Sequence, residues 1–92
     1  MTKAERYLAS VRALPCVLCT HLGLGCSLSS AHHIREDQGM SKRASDYLTV
    51  SLCYGHHQGP NGFHGLGRRA FERMYNLTEL DLLGMTIEGM FA

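Results

Sequence analysis

The side chains that could do chemistry in this 92-residue chain are histidines and cysteines gathered in short groups. The groups, in chain order, are Cys16-x-x-Cys19, His32-His33 and Cys53-x-x-His56-His57, with His64 following. Imidazole and thiolate are strong ligands for first-row metals. Because there are more of them than one tetrahedral ion can use, the chain is predicted to hold one closed structural metal and one open catalytic metal.

The first predicted metal site consists of Cys16, Cys19, Cys53 and His56. A gap of two residues lets both side chains of a pair reach one ion from a tight turn, and two such pairs form a closed tetrahedral site that suits zinc. The alternatives are a disulfide or ordinary buried thiols. Cys26 could replace one of the four ligands, but no paired ligand lies close to it, so a free thiol is favoured.

Four further histidines, His32, His33, His57 and His64, remain for the second site. Adjacent residues of a strand point to opposite sides, so one of His32 and His33 is expected to bind a metal and the other to abstract a proton. Imidazole, with an ordinary pKa of about 6.5, suits the activation of water at neutral pH. His57 and His64 flank a glycine-rich turn that can bend both toward an ion. For any single histidine, a solvated side chain is the alternative.

Length and composition predict one small domain that needs extra stabilisation, which a structural zinc would supply. The formal net charge of +1 favours no class of partner. The segment Met1–Arg6 is charged and has no apolar signal core, and no apolar run reaches membrane-spanning length. We therefore expect a cytoplasmic protein with reduced cysteines and no contact with a membrane.

The helices and strands that must position these groups are predicted to form an α+β fold. The predicted order is helix, metal-binding turn, strand, loop, strand, metal-binding loop and two helices. Thr2, with Glu5 three residues on, indicates a capping box, and Pro15 ends the first helix. Helical spacing and strand-forming residues predict the other elements. The predicted helices and strands are residues 3–14, 30–34, 47–52, 68–75 and 78–91. The predicted loops are residues 22–30, 36–45 and 57–67.

The motifs resemble those of the HNH (ββα-metal) endonucleases. The segments that carry the resemblance are Ala31-His32-His33-Ile34, Val50-Ser51-Leu52-Cys53-Tyr54-Gly55-His56-His57 and His64. The closest resemblance is to the phage Ref-like recombination-enhancement nucleases, which show a similar His-His-Ile, a Ser-Asp before a strand (here Ser45-Asp46) and a Leu-Cys-x-x-His-His run. The resemblance covers about residues 16–75, so we expect a single zinc-stabilised HNH-like domain over residues 1–92, with flanking helices.

The resemblance implies a role for each residue of the second site. His32 would be the first ligand of the catalytic ion, His57 and His64 would complete the ligand set, and His33 would be the general base. Many HNH enzymes orient the base with an asparagine that this chain lacks, and Asp46 or a backbone carbonyl near Leu48 would replace it. The implied ion is Mg²⁺ or Mn²⁺, and three imidazoles could hold Zn²⁺ in purified protein.

The implied activity is hydrolysis of DNA phosphodiester bonds by a metal-dependent endonuclease or nickase. The expected DNA contacts are Arg35, Lys42, Arg43, Arg68, Arg69 and Arg73, with a solvated helix face as the alternative for the last two. The resemblance also implies a recombinase filament as partner, and the chain is expected to be a monomer or weak homodimer.

Two other functions remain open from the sequence. A non-catalytic zinc module that binds nucleic acid or a protein would need only the four structural ligands. An accessory subunit could dock through its C-terminal apolar residues, which are Leu80, Leu82, Leu83, Met85, Ile87, Met90 and Phe91. We favour the interpretation that these apolar residues cover the core.

Overall fold

The computed structural model describes residues 1–25, 28–40 and 42–92, in which two short strands lie among six helices. This arrangement agrees with the predicted α+β class. The elements are α1 (Lys3–Ala13), α2 (Val17–His21), β1 (Ser30–His33), β2 (Thr49–Leu52), α3 (Tyr54–His57), α4 (Phe63–Leu66), α5 (Arg68–Tyr75) and α6 (Glu79–Met90). Cys26 lies outside the described residues, so its predicted free thiol stays a prediction.

The two strands form an antiparallel sheet in which His32 lies opposite Val50 and Ala31 lies opposite Ser51. A two-stranded sheet is marginal by itself, and helices supply the missing burial. Helix α1 packs against both strands and α6 packs against β2. All four residues of β2 are buried as a result, which makes β2 a fixed support for the ligands that follow it.

Local sequence signals explain the boundaries of the longer helices. Thr2 and Glu5 form the predicted capping box at the start of α1, and Thr78 and Asp81 form a second one at the start of α6. Helix α1 ends two residues before Pro15, because the position preceding a proline disfavours helical backbone. The predicted helices at the N-terminus, at residues 68–75 and at residues 78–91 are confirmed to within two residues.

The prediction of loops was wrong in part. Residues 63–66 lie in α4 instead of an irregular turn, and α2 and α3 were not predicted. These three helices have only four or five residues, too few to show an apolar period. Strand β2 begins at Thr49 because the preceding residues form a turn in which the Leu48 amide donates to the Ser45 carbonyl.

The apolar residues of α6 divide between the core and the surface. Leu82 and Leu83 are buried, which confirms that they cover the core. Leu80, Ile87 and Phe91 are exposed, so that prediction was wrong for them. Among the described residues, no helix combines the length and apolar character needed to cross a bilayer.

Candidate metal centre and active site

The structure brings together Cys16, Cys19, Cys53 and His56, the four side chains that the sequence analysis assigned to zinc. The Sγ atom of Cys19 lies 3.7 Å from Sγ of Cys53 and 3.4 Å from Nδ1 of His56. The same His56 nitrogen lies 3.4 Å from Sγ of Cys53 and 3.7 Å from Sγ of Cys16. Four potential ligand atoms therefore converge on one point.

The spacing of these atoms fits a tetrahedral zinc. Zinc–sulfur and zinc–nitrogen bonds of about 2.3 and 2.0 Å place neighbouring ligand atoms roughly 3.5 to 3.8 Å apart. A disulfide between Cys19 and Cys53 is contradicted by their sulfur separation of 3.7 Å, since a disulfide bond is about 2.05 Å long. Burial raises the pKa of the Cys16 thiol and lowers the pKa of the His56 imidazole. A bound cation would offset the cost of ionising the thiols.

Short helices position these ligands. Cys16 is the N-cap of α2, and its sulfur accepts a hydrogen bond from the Cys19 amide at 3.4 Å. Cys53 follows the buried strand β2 and is the N-cap of α3, which carries His56. The Tyr75 hydroxyl donates to the Asn61 carbonyl at 2.7 Å and ties α5 to the loop after α3. The four candidate ligands therefore come from segments that are distant in sequence.

A second group consists of His32, His57 and His64, with one nitrogen of each ring within 4.8 Å of the others. These are the three histidines that the resemblance assigned to the catalytic ion. His32 is 1% exposed and packs against Phe63, with a ring separation of 4.4 Å. His57 is half-buried and His64 is exposed. The group therefore has a buried back and an open front, which suits an ion that also binds a substrate.

Glycines allow the loop between α3 and α4 to bring His57 and His64 together. A Cβ atom at Gly62 would lie 2.5 Å from the Gly55 carbonyl oxygen, and one at Gly65 would overlap the Gly59 carbonyl oxygen. The backbone of the loop therefore packs directly on α3, and the backbone of α4 packs directly on the loop. A larger residue at either position would push α4, and His64 with it, away from His57.

Gly65→Ala is expected to weaken binding of Mn²⁺ at the three-histidine group by more than tenfold and to lower the melting temperature. The overlap with backbone is an overpacking strain of about 1–3 kcal/mol. Gly55→Ala is the matched control, because a Cβ there meets nothing within 4 Å. Calorimetric titration with Mn²⁺ checks the result, and equal affinities in the two variants would contradict it.

His33, which directly follows His32 in β1, forms a pair with Asp46. Its Nε2 lies 2.7 Å from Oδ1 of Asp46, and the Arg43 guanidinium donates to the same oxygen at 2.8 Å. The hydrogen bond from His33, aided by Arg43, lowers the pKa of Asp46. Asp46 is therefore a carboxylate that can only accept hydrogen bonds. It contacts His33, as predicted for a group that orients the proposed general base.

Two residues that contact histidines of the three-histidine group were not recognised from the sequence. Glu79 is fully buried, and its Oε2 lies 2.7 Å from Nε2 of His32. Burial alone would raise the pKa of Glu79, but hydrogen bonds from His32 and from two backbone amides outweigh it and lower the pKa. The Ser30 hydroxyl lies 2.7 Å from Nδ1 of His57. Ser30 could have been found, because strand alternation places it on the same face as His32.

Burial and neighbouring charges lower the pKa of His57 and of His64 and so favour their neutral forms. The pKa of His57 is lowered to about 4, mainly by burial, with further contributions from His32 and His64. The pKa of His64 is lowered by burial and by the nearby His32 and Arg35. Neutral imidazoles keep a lone pair for a metal at physiological pH.

The basic residues assigned to DNA lie in different settings. The Arg35 guanidinium donates to the Lys42 carbonyl at 2.8 Å, and Arg43 contacts Asp46. Arg68 lies 4.0 Å from Glu36 and 3.9 Å from Glu72. The side chains of Lys42, Arg69 and Arg73 are exposed. Intramolecular contacts therefore occupy Arg35, Arg43 and Arg68, and a phosphate would have to compete with them.

Comparison with known proteins gives one match. A family model described as "Recombination enhancement, RecA-dependent nuclease" matches residues 2–90 of the chain. No curated protein and no solved structure matches the chain. The family match spans all eight helices and strands, including both groups of metal-ligand side chains.

Proposed function

We propose that this chain, which belongs to the recombination enhancement, RecA-dependent nuclease family, is a metal-dependent DNA endonuclease of the HNH type. Membership of this family supports a nuclease role in recombination. The observation that carries the finer proposal is the three-histidine group, open on one side, together with a histidine–carboxylate pair whose histidine directly follows His32 in β1. Together they supply an ion-binding site and a base, which hydrolysis of a phosphodiester requires.

His33 is the proposed general base, oriented by Asp46. A carboxylate can only accept a hydrogen bond, so Nε2 of His33 donates to Oδ1 of Asp46. This arrangement leaves Nδ1 of His33 with the lone pair that takes a proton from the attacking water. Arg43 donates to the same carboxylate oxygen and adds to the effect of the His33 hydrogen bond in lowering the pKa of Asp46.

His32, His57 and His64 are the proposed ligands of the catalytic ion. Mg²⁺ or Mn²⁺ bound there would polarise the scissile phosphate and stabilise the charge on the leaving 3′-oxygen. Neutral imidazoles also bind Zn²⁺ well, so purified protein can carry zinc at this site. The buried position of His32 and the exposed position of His64 give the group a fixed back and an accessible front.

Cys16, Cys19, Cys53 and His56 are proposed to hold a structural zinc. The donor set and the separations of 3.4 to 3.7 Å support this assignment. The division into a zinc site and a catalytic ion site also gives the two histidines of each neighbouring pair different roles. His56 belongs to the zinc site and His57 to the catalytic ion, while His32 binds that ion and His33 moves the proton.

DNA and a RecA filament are the proposed partners, with the reaction taking place in the cytoplasm. The proposed phosphate contacts are Arg35, Lys42, Arg43, Arg68, Arg69 and Arg73. Exposed Arg69 and Arg73 on α5 support a weakly sequence-specific, salt-sensitive contact with the DNA backbone. A non-catalytic zinc module would use only the four zinc ligands, and it would give the three-histidine group and the His33–Asp46 pair no role.

A cleavage assay tests the proposal. The purified chain is incubated with duplex plasmid and with single-stranded DNA, each with and without RecA filaments and divalent ions. We expect cleavage in Mg²⁺ or Mn²⁺ when RecA is present, and loss of cleavage in His57→Ala but not in His21→Ala, which removes an exposed histidine. Absence of cleavage under every condition would contradict the proposal.

A further inference from the structure

Glu79 occupies an unusual position for a charged residue, since it is fully buried at the first position of α6. Its carboxylate collects three donors. The Arg35 and Glu36 amides donate to it at 2.7 to 2.8 Å, and the His32 ring contacts it at 2.7 Å. Glu79 lies 47 positions after His32. Helix α6 therefore places a carboxylate on the side of the His32 ring that is opposite the proposed ion.

The contact between Glu79 and His32 determines which ring nitrogen carries the proton. A carboxylate cannot donate, so Nε2 of His32 must be the donor. In a neutral imidazole the other nitrogen, Nδ1, then has the free lone pair. Nδ1 is the nitrogen that remains for an ion shared with His57 and His64.

Ser30 makes an equivalent contact with His57. The Ser30 hydroxyl lies 3.0 Å from the Leu52 carbonyl oxygen and 2.7 Å from Nδ1 of His57. A carbonyl oxygen can only accept, so the single hydroxyl proton is directed to Leu52 and Nδ1 of His57 donates to the serine oxygen. Nε2 of His57 then has the free lone pair.

We propose that Glu79 and Ser30 are positioning residues that fix the tautomers of His32 and His57 so that both rings present a lone pair to the same ion. The proposal rests on the proposed function, because it assigns those rings to the catalytic ion. Partners of this kind hold the ring orientation of metal-binding histidines, and their loss commonly weakens metal affinity by about 10- to 100-fold. Neither residue touches the ion or the DNA.

Glu79→Gln tests the first contact without a change of shape. The glutamine has one acceptor oxygen, which the Arg35 and Glu36 amides retain, so its amide group faces His32 as a donor. The proton of His32 must then move to Nδ1, where it blocks the ion. Glu88→Gln is the matched control, since it removes the same charge from an exposed position of the same helix.

Ser30→Ala tests the second contact and keeps the proposal testable should Glu79→Gln fail to fold. Ser29→Ala is the matched control, because the neighbouring Ser29 hydroxyl has no hydrogen-bond partner within the described residues. Two readouts are used: ¹⁵N chemical shifts of the histidine rings at pH 8 without added divalent ion, and calorimetric titration with Mn²⁺.

We expect a proton on Nε2 of His32 and on Nδ1 of His57 in the unaltered chain. We also expect Glu79→Gln and Ser30→Ala to weaken Mn²⁺ binding by about tenfold or more, with Glu79→Gln moving the His32 proton to Nδ1 and both controls within twofold of the unaltered chain. A proton on Nδ1 of His32 in the unaltered chain, or unchanged affinity in both variants, would overturn the proposal. If the unaltered chain bound no Mn²⁺, the proposed function would fail, and the ring shifts would still decide on Glu79 and Ser30.

Discussion

His33→Ala is expected to reduce RecA-dependent DNA cleavage by about 10²- to 10⁴-fold, the usual contribution of a positioned general base. The substitution removes the nitrogen proposed to take the proton from water and leaves the side chains of the three-histidine group in place. His33 is only partly buried and pairs with Asp46 at the protein surface, so its loss should not unfold the chain.

The effect of His33→Ala is read from single-turnover cleavage rates, with thermal melting and metal content measured on the same sample. His21→Ala is the matched control, since it also truncates a histidine but on the exposed end of α2. An undiminished cleavage rate in His33→Ala, from protein free of contaminating nuclease, would contradict its assignment as the base.

Cys53→Ser is expected to abolish stable folding. A structural zinc contributes an apparent 10–16 kcal/mol or so to small zinc domains, whereas a whole domain is stable by about 5–15 kcal/mol. The four side chains of the cluster come from α2 and its N-cap, from the residue after β2 and from α3, so losing one proposed ligand would free several segments at once.

Circular dichroism during heating measures this outcome. Cys26→Ser is the comparison, because the sequence predicts a free thiol there, whereas Cys53 belongs to the group of four described side chains that could hold a metal. A cooperative transition in Cys53→Ser at the temperature of the unaltered chain would argue against a structural metal at this cluster.

Spacing along the chain was enough to predict which side chains form the two candidate metal-binding groups, but not the residues that contact them. The Cys-x-x-Cys and Cys-x-x-His pairs carry their chemistry within four residues, and the structure brings them together. Glu79 reaches His32 across 47 positions, and a glutamate in the first turn of a helix is common because it suits the helix dipole. Nothing local distinguishes a buried glutamate from an exposed one at this position.

The same contrast applies to the fold. Helices α1 and α6 can be predicted from Thr2 and Thr78, because each forms a capping box that involves only four consecutive residues. Helices α3 and α4 are single turns held by glycine backbone contacts and by neighbouring elements. Their formation depends on tertiary packing, which local propensity does not describe.

Counting metal ions per chain by native mass spectrometry tests most directly whether the two histidine pairs are divided between two separate ions. We expect one tightly bound zinc in the unaltered chain, a second ion when Mn²⁺ is added, and loss of only the second ion in His57→Ala. A single ion at every Mn²⁺ concentration, or loss of both ions together in His57→Ala, would contradict it.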